Sequence, residues 1–322
     1  MKKNIPGLIL TFLLAAAAVS LARGSSSLNA ICLAIVAGLI WGNLCDGRWA
    51  TQPGLHFTEE RLLPTAIALM GLELNLQALK ETGISAPLIV FPAMFLSITT
   101  AVLMGRLLKL PLKSALLTGI GNSVCGSSAI LAAAPAMQSK KEARGLSVAA
   151  VNLMGTGGIF LLPAIAHLAG FNVHQTATLL GGTLQAVGQV AASASTLSEE
   201  IARQALLIKM IRVLMIGPIV LLLTHLFKEK GTERKPLWKY IPTYMIGFAA
   251  CSILGSLFHN DVHILPRATA TGQFLLAMGM VAVGSQMQLK TLINQGTRTL
   301  IVALSSSVVL VTATLVLCSL LT

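Results

Sequence analysis

The chain has 322 residues, of which 55% are hydrophobic and only 11% charged, with a mean hydropathy of +0.80. Soluble domains carry about 25% charged residues, so this composition excludes a water-soluble fold and points to a polytopic membrane protein. The net charge of +12 does not indicate nucleic acid. The basic residues gather in short connections (Arg106, Lys109 and Lys113; Lys228, Lys230, Arg234, Lys235 and Lys239) as cytoplasmic loops do, and aromatic residues make up only 5%.

Five cysteines (Cys32, Cys45, Cys125, Cys251, Cys318) are scattered without CxxC or Cys/His spacing. The expectation is neither a structural disulfide nor a metal or other cofactor.

At about 20 apolar residues per crossing, roughly ten or eleven crossings fit into one membrane domain spanning residues 1–322. Lys2-Lys3 precede an apolar run to Leu21, read as a retained first crossing rather than a cleaved leader. Segments two, three and four cover residues 28–44, 62–79 and 87–108, with a polar connection around Asp46, Arg48, Pro53 and Glu59–Arg61. The fifth covers residues 119–135, and the sixth, residues 146–168, holds Asn152 and the run Gly155-Thr156-Gly157-Gly158. The seventh, residues 175–197, reads GGTLQAVGQVAASAS in its middle, and the eighth covers residues 201–227. Residues 241–258, 269–289 and 299–321 complete the set.

The fifth segment, GIGNSVCGSSAILAAAP, concentrates Asn122, Ser123, Cys125, Ser127 and Ser128, punctuated by Gly119, Gly121 and Gly126. Glycine costs roughly 1 kcal/mol against alanine in a helix, and irregular backbone at membrane depth must face protein or a water-filled cavity. The expectation is a broken helix whose freed N–H groups and hydroxyls form a mid-membrane ligand site. Close helix packing through small residues is the alternative. In the seventh segment Gln185 and Gln189 are four apart, which predicts one helical face able to donate to a ligand. Interhelical hydrogen bonding is the competing role. Alternation of loop charges leaves two topologies open: eleven crossings, or nine with the fifth and seventh segments re-entrant. An internal echo links Met70–Leu79 to Val283–Leu292 through Gly71/Gly284, Leu76/Leu289 and Leu79/Leu292, as expected of inverted repeats.

Charges inside crossings mark function by default. Lys209 and Arg212 lie well inside the eighth segment, three apart and on neighbouring positions of one face. Two adjacent cations repel unless an anion or a carboxylate joins them. Glu73 is the acidic residue inside an apolar segment, near its end, so surplus buried positive charge favours an anionic ligand. Walker-type, HExxH, GxSxG and GxGxxG signatures are absent, so any transport is expected to be secondary or channel-like, and enzymatic activity is not expected.

Cys125, Gly126, Ser128, Ala129 and Ile130 match the CGxSAI hallmark of the YeiH-like bacterial membrane family, often labelled sulfate exporters, which this chain resembles over nearly its full length. Gly182–Ser193 resembles a second family region, and Lys209 and Arg212 a KxxR pair in the helix that follows. The chain departs from the pattern at Gln185 and Ala186, where the family often carries a histidine and then an acidic residue. The resemblance implies an all-α fold similar to the inverted-repeat transporters of the bile-acid/arsenite type, with a core and a panel domain, and about nine to eleven membrane helices including broken or re-entrant ones. It implies a secondary transporter of a small inorganic or sulfonate-like anion, working outward across the bacterial inner membrane. The expected partners are the anion, the bilayer and a second copy in a homodimer. The expected site comprises Asn122, Ser123, Cys125, Gly126, Ser127, Ser128, Gln185, Gln189, Lys209 and Arg212. A sodium- or proton-coupled carrier of an organic solute and a non-transporting sensor or assembly subunit remain as alternatives.

Overall fold

The computed structural model describes residues 4–23, 30–44, 51–70, 72, 85–227, 243–257, 265–286 and 296–321. Among these the regular elements are helices, without strands. In chain order they are α1 (Ile5–Arg23), α2 (Ala30–Leu44), α3 (Gln52–Phe57), which runs through a π-helical turn (Thr58–Leu62) into α4 (Leu63–Met70), and α5 (Ser85–Leu107). Next come α6 (Leu112–Ser123), α7 (Gly126–Ala136), α8 (Lys141–Leu168), α9 (Val173–Thr183), α10 (Val187–Ala194), α11 (Glu199–Leu214) and α12 (Ile216–Leu226). The last are α13 (Thr243–Leu257), α14 (Leu265–Gln286) and α15 (Thr297–Leu321).

The fold is therefore all-α, as the composition requires. Five helical stretches among the described residues are long and apolar enough to cross a membrane: Ile5–Ala22, Ser85–Leu107, Glu142–Leu168, Glu199–Leu226 and Thr297–Leu321. Large apolar side chains such as Phe95, Leu103, Leu161, Leu168, Leu304 and Leu320 lie exposed along them. Such a surface suits hydrocarbon rather than water.

The chain groups into two compact units, each drawn from two separate stretches of the sequence. The first comprises Met1–Lys80 and Thr243–Leu289, the second Glu81–Pro242 and Lys290–Thr322. In the first unit α2 and α14 meet backbone to backbone, where a side chain at Gly38 would overlap Val281 and one at Gly42 would overlap Ser285. The Thr11 and Thr58 hydroxyls meet at 3.4 Å between α1 and the π-helical turn, and Phe12 and Phe274 stack edge to face at 5.3 Å. Glu73, the Lys228–Lys239 loop and most of both halves of the internal echo lie outside the described residues.

The second unit holds the candidate site, and local sequence explains its helix boundaries. Asn172 caps α9 by accepting from the Gln175 N–H at 2.9 Å, while the Gln175 side chain accepts from the Asn172 N–H at 3.0 Å. This reciprocal arrangement satisfies two N–H groups that the helix start leaves unpaired. Ser198 caps α11 by a single bond, its hydroxyl accepting from the Ile201 N–H at 3.1 Å, with Glu199 and Glu200 in the first turn favoured by the helix dipole. The long helices α8 and α15 frame the unit. α8 packs on α6, α7, α9 and α10, and α15 packs on α5, α6, α8 and α9.

Candidate functional site

Two interrupted helices form the centre of the second unit. The fifth segment is broken as its composition predicts: α6 ends at Ser123, Val124 and Cys125 leave helical geometry (φ −111, ψ −85 and φ −146, ψ 44), and α7 begins at Gly126. Gly126 has φ +53, a left-handed conformation that glycine adopts without the clash other residues meet. The seventh segment is broken too, since α9 ends at Thr183 and α10 begins at Val187. This corrects the expectation for the two glutamines. Gln185 lies in the non-helical link and Gln189 in the first turn of α10, so they do not share a helical face.

Each break strips the preceding helix of its next hydrogen-bond donors. The carbonyls of Asn122, Ser123, Val124, Gly181 and Leu184 lose helical partners, and leaving such groups unpaired in an apolar interior is costly. Lys209 and Arg212 supply the missing donors. Both are fully buried, at 0% exposure. Lys209 Nζ donates to the carbonyls of Val124 (2.7 Å) and Leu184 (2.6 Å). Arg212 donates through Nε to Ser123 (2.9 Å), through Nη1 to Gly181 (3.0 Å) and Leu184 (2.8 Å), and through Nη2 to Asn122 (2.8 Å). Gly181 makes this reach possible, because a side chain there would run into the Ala205 carbonyl of α11.

The sequence posed the cation pair as needing an anion or a carboxylate. The structure gives a different answer: the partners are carbonyls at the negative C-terminal ends of α6 and α9, where cations are stabilised. One carbonyl, that of Leu184, accepts from both side chains.

The opposite side of the breaks presents the N-terminal ends of α7 and α10. They adjoin each other, since a Cβ on Gly126 would sit 3.7 Å from Gln185 and 3.7 Å from Asn152 Oδ1. Gln189 caps its own helix by accepting from the Ala186 N–H at 2.9 Å, and its amide donates to the Asn152 carbonyl at 3.3 Å. Gly155 on α8 leaves the space that the Gln189 amide occupies. Ser127 Oγ donates to Asn152 Oδ1 at 3.1 Å. Asn122 Nδ2 donates to the Ala303 carbonyl (2.8 Å) and to Ser306 Oγ (2.6 Å) of α15. Gln185 Nε2 donates to Asn122 Oδ1 (3.3 Å) and to Ser307 Oγ (3.4 Å).

The ten residues singled out from the sequence thus lie on one unit, around two adjoining breaks. Asn122, Ser123, Cys125, Gly126, Gln185, Gln189, Lys209 and Arg212 are buried, while Ser127 and Ser128, in the first turn of α7, are partly exposed. The Ser123 hydroxyl is buried without a hydrogen-bond partner among the described residues. Three neighbours were not singled out: Asn152, Ser306 and Ser307. Their signal was present, as a solitary amide in an apolar segment and as a run of three serines, Ser305–Ser307, amid the aliphatic residues of the last one. Asn152 and Ser307 are partly exposed, as is Ala186 in the link.

Chemically, this is a site with two faces. On one, carbonyl dipoles are neutralised by fixed cations. On the other, N–H ends, hydroxyls and amides remain as donors in a partly accessible setting, an arrangement suited to an acceptor-rich ligand.

Comparison with known proteins agrees with a membrane protein. A family model described as conserved hypothetical protein 698 matches residues 6–303. A UPF0324 membrane protein of Brucella suis biovar 1 (strain 1330) is 31% identical over 313 residues, covering 95% of this chain and 93% of that one. The UPF0324 membrane protein YdhF of Lactococcus lactis subsp. lactis (strain IL1403) is 32% identical over 330 residues, covering 98% of each. Another from Pseudomonas aeruginosa is 32% identical over 321 residues, covering 94% of this chain and 90% of that one. The chain belongs to this membrane-protein family, the one its CGxSAI, small-residue and KxxR regions resemble.

Proposed function

We propose that this family member is a secondary transporter of a small oxyanion of the sulfate, sulfite or sulfonate class, held against the N-terminal ends of α7 and α10. One observation carries the reading: Lys209 and Arg212 engage the carbonyl ends of both broken helices. The negative ends are thereby neutralised, and the positive N-terminal ends are left to act on a ligand. The hydroxyls of Ser128 and Ser307 and the buried hydroxyl of Ser123 are further neutral donors in this unit, while the Ser127 hydroxyl is spent on Asn152 Oδ1. Discontinuous helices meeting inside an apolar bundle are the plan on which secondary transporters build midplane sites, with inverted repeats as the underlying architecture. The anion passes unchanged through a protein of the bacterial inner membrane, in the outward direction that the resemblance implies.

The same observation weighs against the cation-coupled alternative. Freed carbonyls at helix breaks are the usual ligands for sodium, and here five of them already accept from Lys209 and Arg212.

Counterflow in proteoliposomes tests the proposal. Vesicles loaded with unlabelled sulfate, sulfite or methanesulfonate should accumulate the labelled anion from outside in a saturable, sodium-independent manner. Uptake no faster than in protein-free vesicles for all three, or uptake only with a sodium gradient, would overturn it.

A further inference from the structure

We infer that Asn152 of α8 decides the sign of the charge that the site accepts. The inference rests on the anion reading above and adds α8 as a third wall to a site between two broken helices.

Asn152 lies within the membrane-crossing stretch Glu142–Leu168, where a polar side chain is expensive and marks function. Three hydrogen bonds fix it. Its backbone carbonyl accepts from Thr156 Oγ1 at 3.0 Å and from Gln189 Nε2 at 3.3 Å, and its Oδ1 accepts from Ser127 Oγ at 3.1 Å. The residue is tied in this way to the first turns of both α7 and α10. With Oδ1 engaged by Ser127, the amide nitrogen points away from that hydroxyl. Among the described residues no acceptor is paired with Nδ2, and the side chain is only partly buried. A donor is thus held beside two positive helix ends without an internal partner, as an anion requires and a cation does not.

Aspartate has the same shape but no N–H, and it brings a negative charge. Helix N-termini stabilise such a charge, and Ser127 could still donate to it. Asn152→Asp should therefore fold, while filling with its own carboxylate the potential that an external anion would use.

The test measures binding of labelled sulfate to the full-length protein in detergent, alongside its melting temperature with and without sulfate. Wild type should bind and be stabilised. Asn152→Asp should keep its ligand-free melting temperature and lose about 100-fold or more in sulfate affinity, and Asn152→Ala should lose about tenfold. Sulfate binding by Asn152→Asp within a factor of about two of wild type would overturn the inference. Should Asn152→Asp fail to fold, Asn152→Ala decides, and unchanged affinity there overturns it equally. A wild-type protein that binds neither sulfate nor sulfite nor methanesulfonate would sink the anion reading itself, and this inference with it.

Discussion

The two faces of the helix breaks are a few residues apart in the chain, yet their chemistry is opposite. On the carbonyl face every polar partner is internal: Lys209 and Arg212 are completely buried and together make six hydrogen bonds to five main-chain carbonyls. On the amide face Ser127, Ser128, Asn152 and Ser307 keep partial exposure, and the bonds of Gln185 are long, at 3.3 and 3.4 Å. The first face is built as a core is, with its polar groups satisfied. The second retains hydrogen-bonding capacity that a ligand can take up. The most conspicuous charges in the sequence therefore stabilise the site, while inconspicuous neutral groups line it.

Substitutions on the two faces should separate along that division. The largest effect is expected from Arg212→Gln, which removes the charge and leaves buried carbonyls of Asn122, Ser123, Gly181 and Leu184 under-satisfied. A loss of about 3–5 kcal/mol is expected, read as a collapse of the melting temperature in detergent and a poor yield of folded protein. Lys209→Met, with two hydrogen bonds at stake, should cost about 2 kcal/mol by the same measure. An Arg212→Gln protein as stable as wild type but unable to transport would place Arg212 in direct contact with the anion and erase the distinction between the faces.

An intermediate effect is expected from Gly155→Ala. The added methyl would occupy the space of the Gln189 amide and detach it from the Asn152 carbonyl and the start of α10. Overpacking of this kind costs about 1–3 kcal/mol, and sulfate should no longer raise the melting temperature. Retained stabilisation by sulfate would show that the Gln189 cap is not needed for the site. The smallest effect on folding belongs to Ser127→Ala, which loses one partly exposed hydrogen bond worth about 0.5–1.5 kcal/mol. Its affinity for sulfate should nevertheless fall several-fold in an equilibrium binding assay. Affinity unchanged within error would remove Ser127 from the ligand's surroundings.

The break in residues 119–135 was legible because glycine and small polar residues cluster there against every helical preference of an apolar segment. Lys209 and Arg212 were equally legible, as charges where charges are costly. The break at Gln185 was not. In GGTLQAVGQVAAS a helical spacing of the two glutamines reads as naturally as an interruption, and the link, Leu184-Gln185-Ala186, has neither proline nor glycine. The interruption holds because Arg212 and Lys209 satisfy the Gly181 and Leu184 carbonyls from another helix.

By itself the sequence determined that the chain is an all-helical membrane protein, that one helix breaks within residues 119–135, and that two cations lie within the apolar interior. These are local matters, since each follows from the transfer cost of a residue type or from its own backbone preference. Only the tertiary structure decided what the cations touch, that a second break adjoins the first, and that Asn152, Ser306 and Ser307 from two further helices join them. Those depend on which carbonyls and amides converge from stretches 25 to 184 residues apart, and no local preference encodes that convergence.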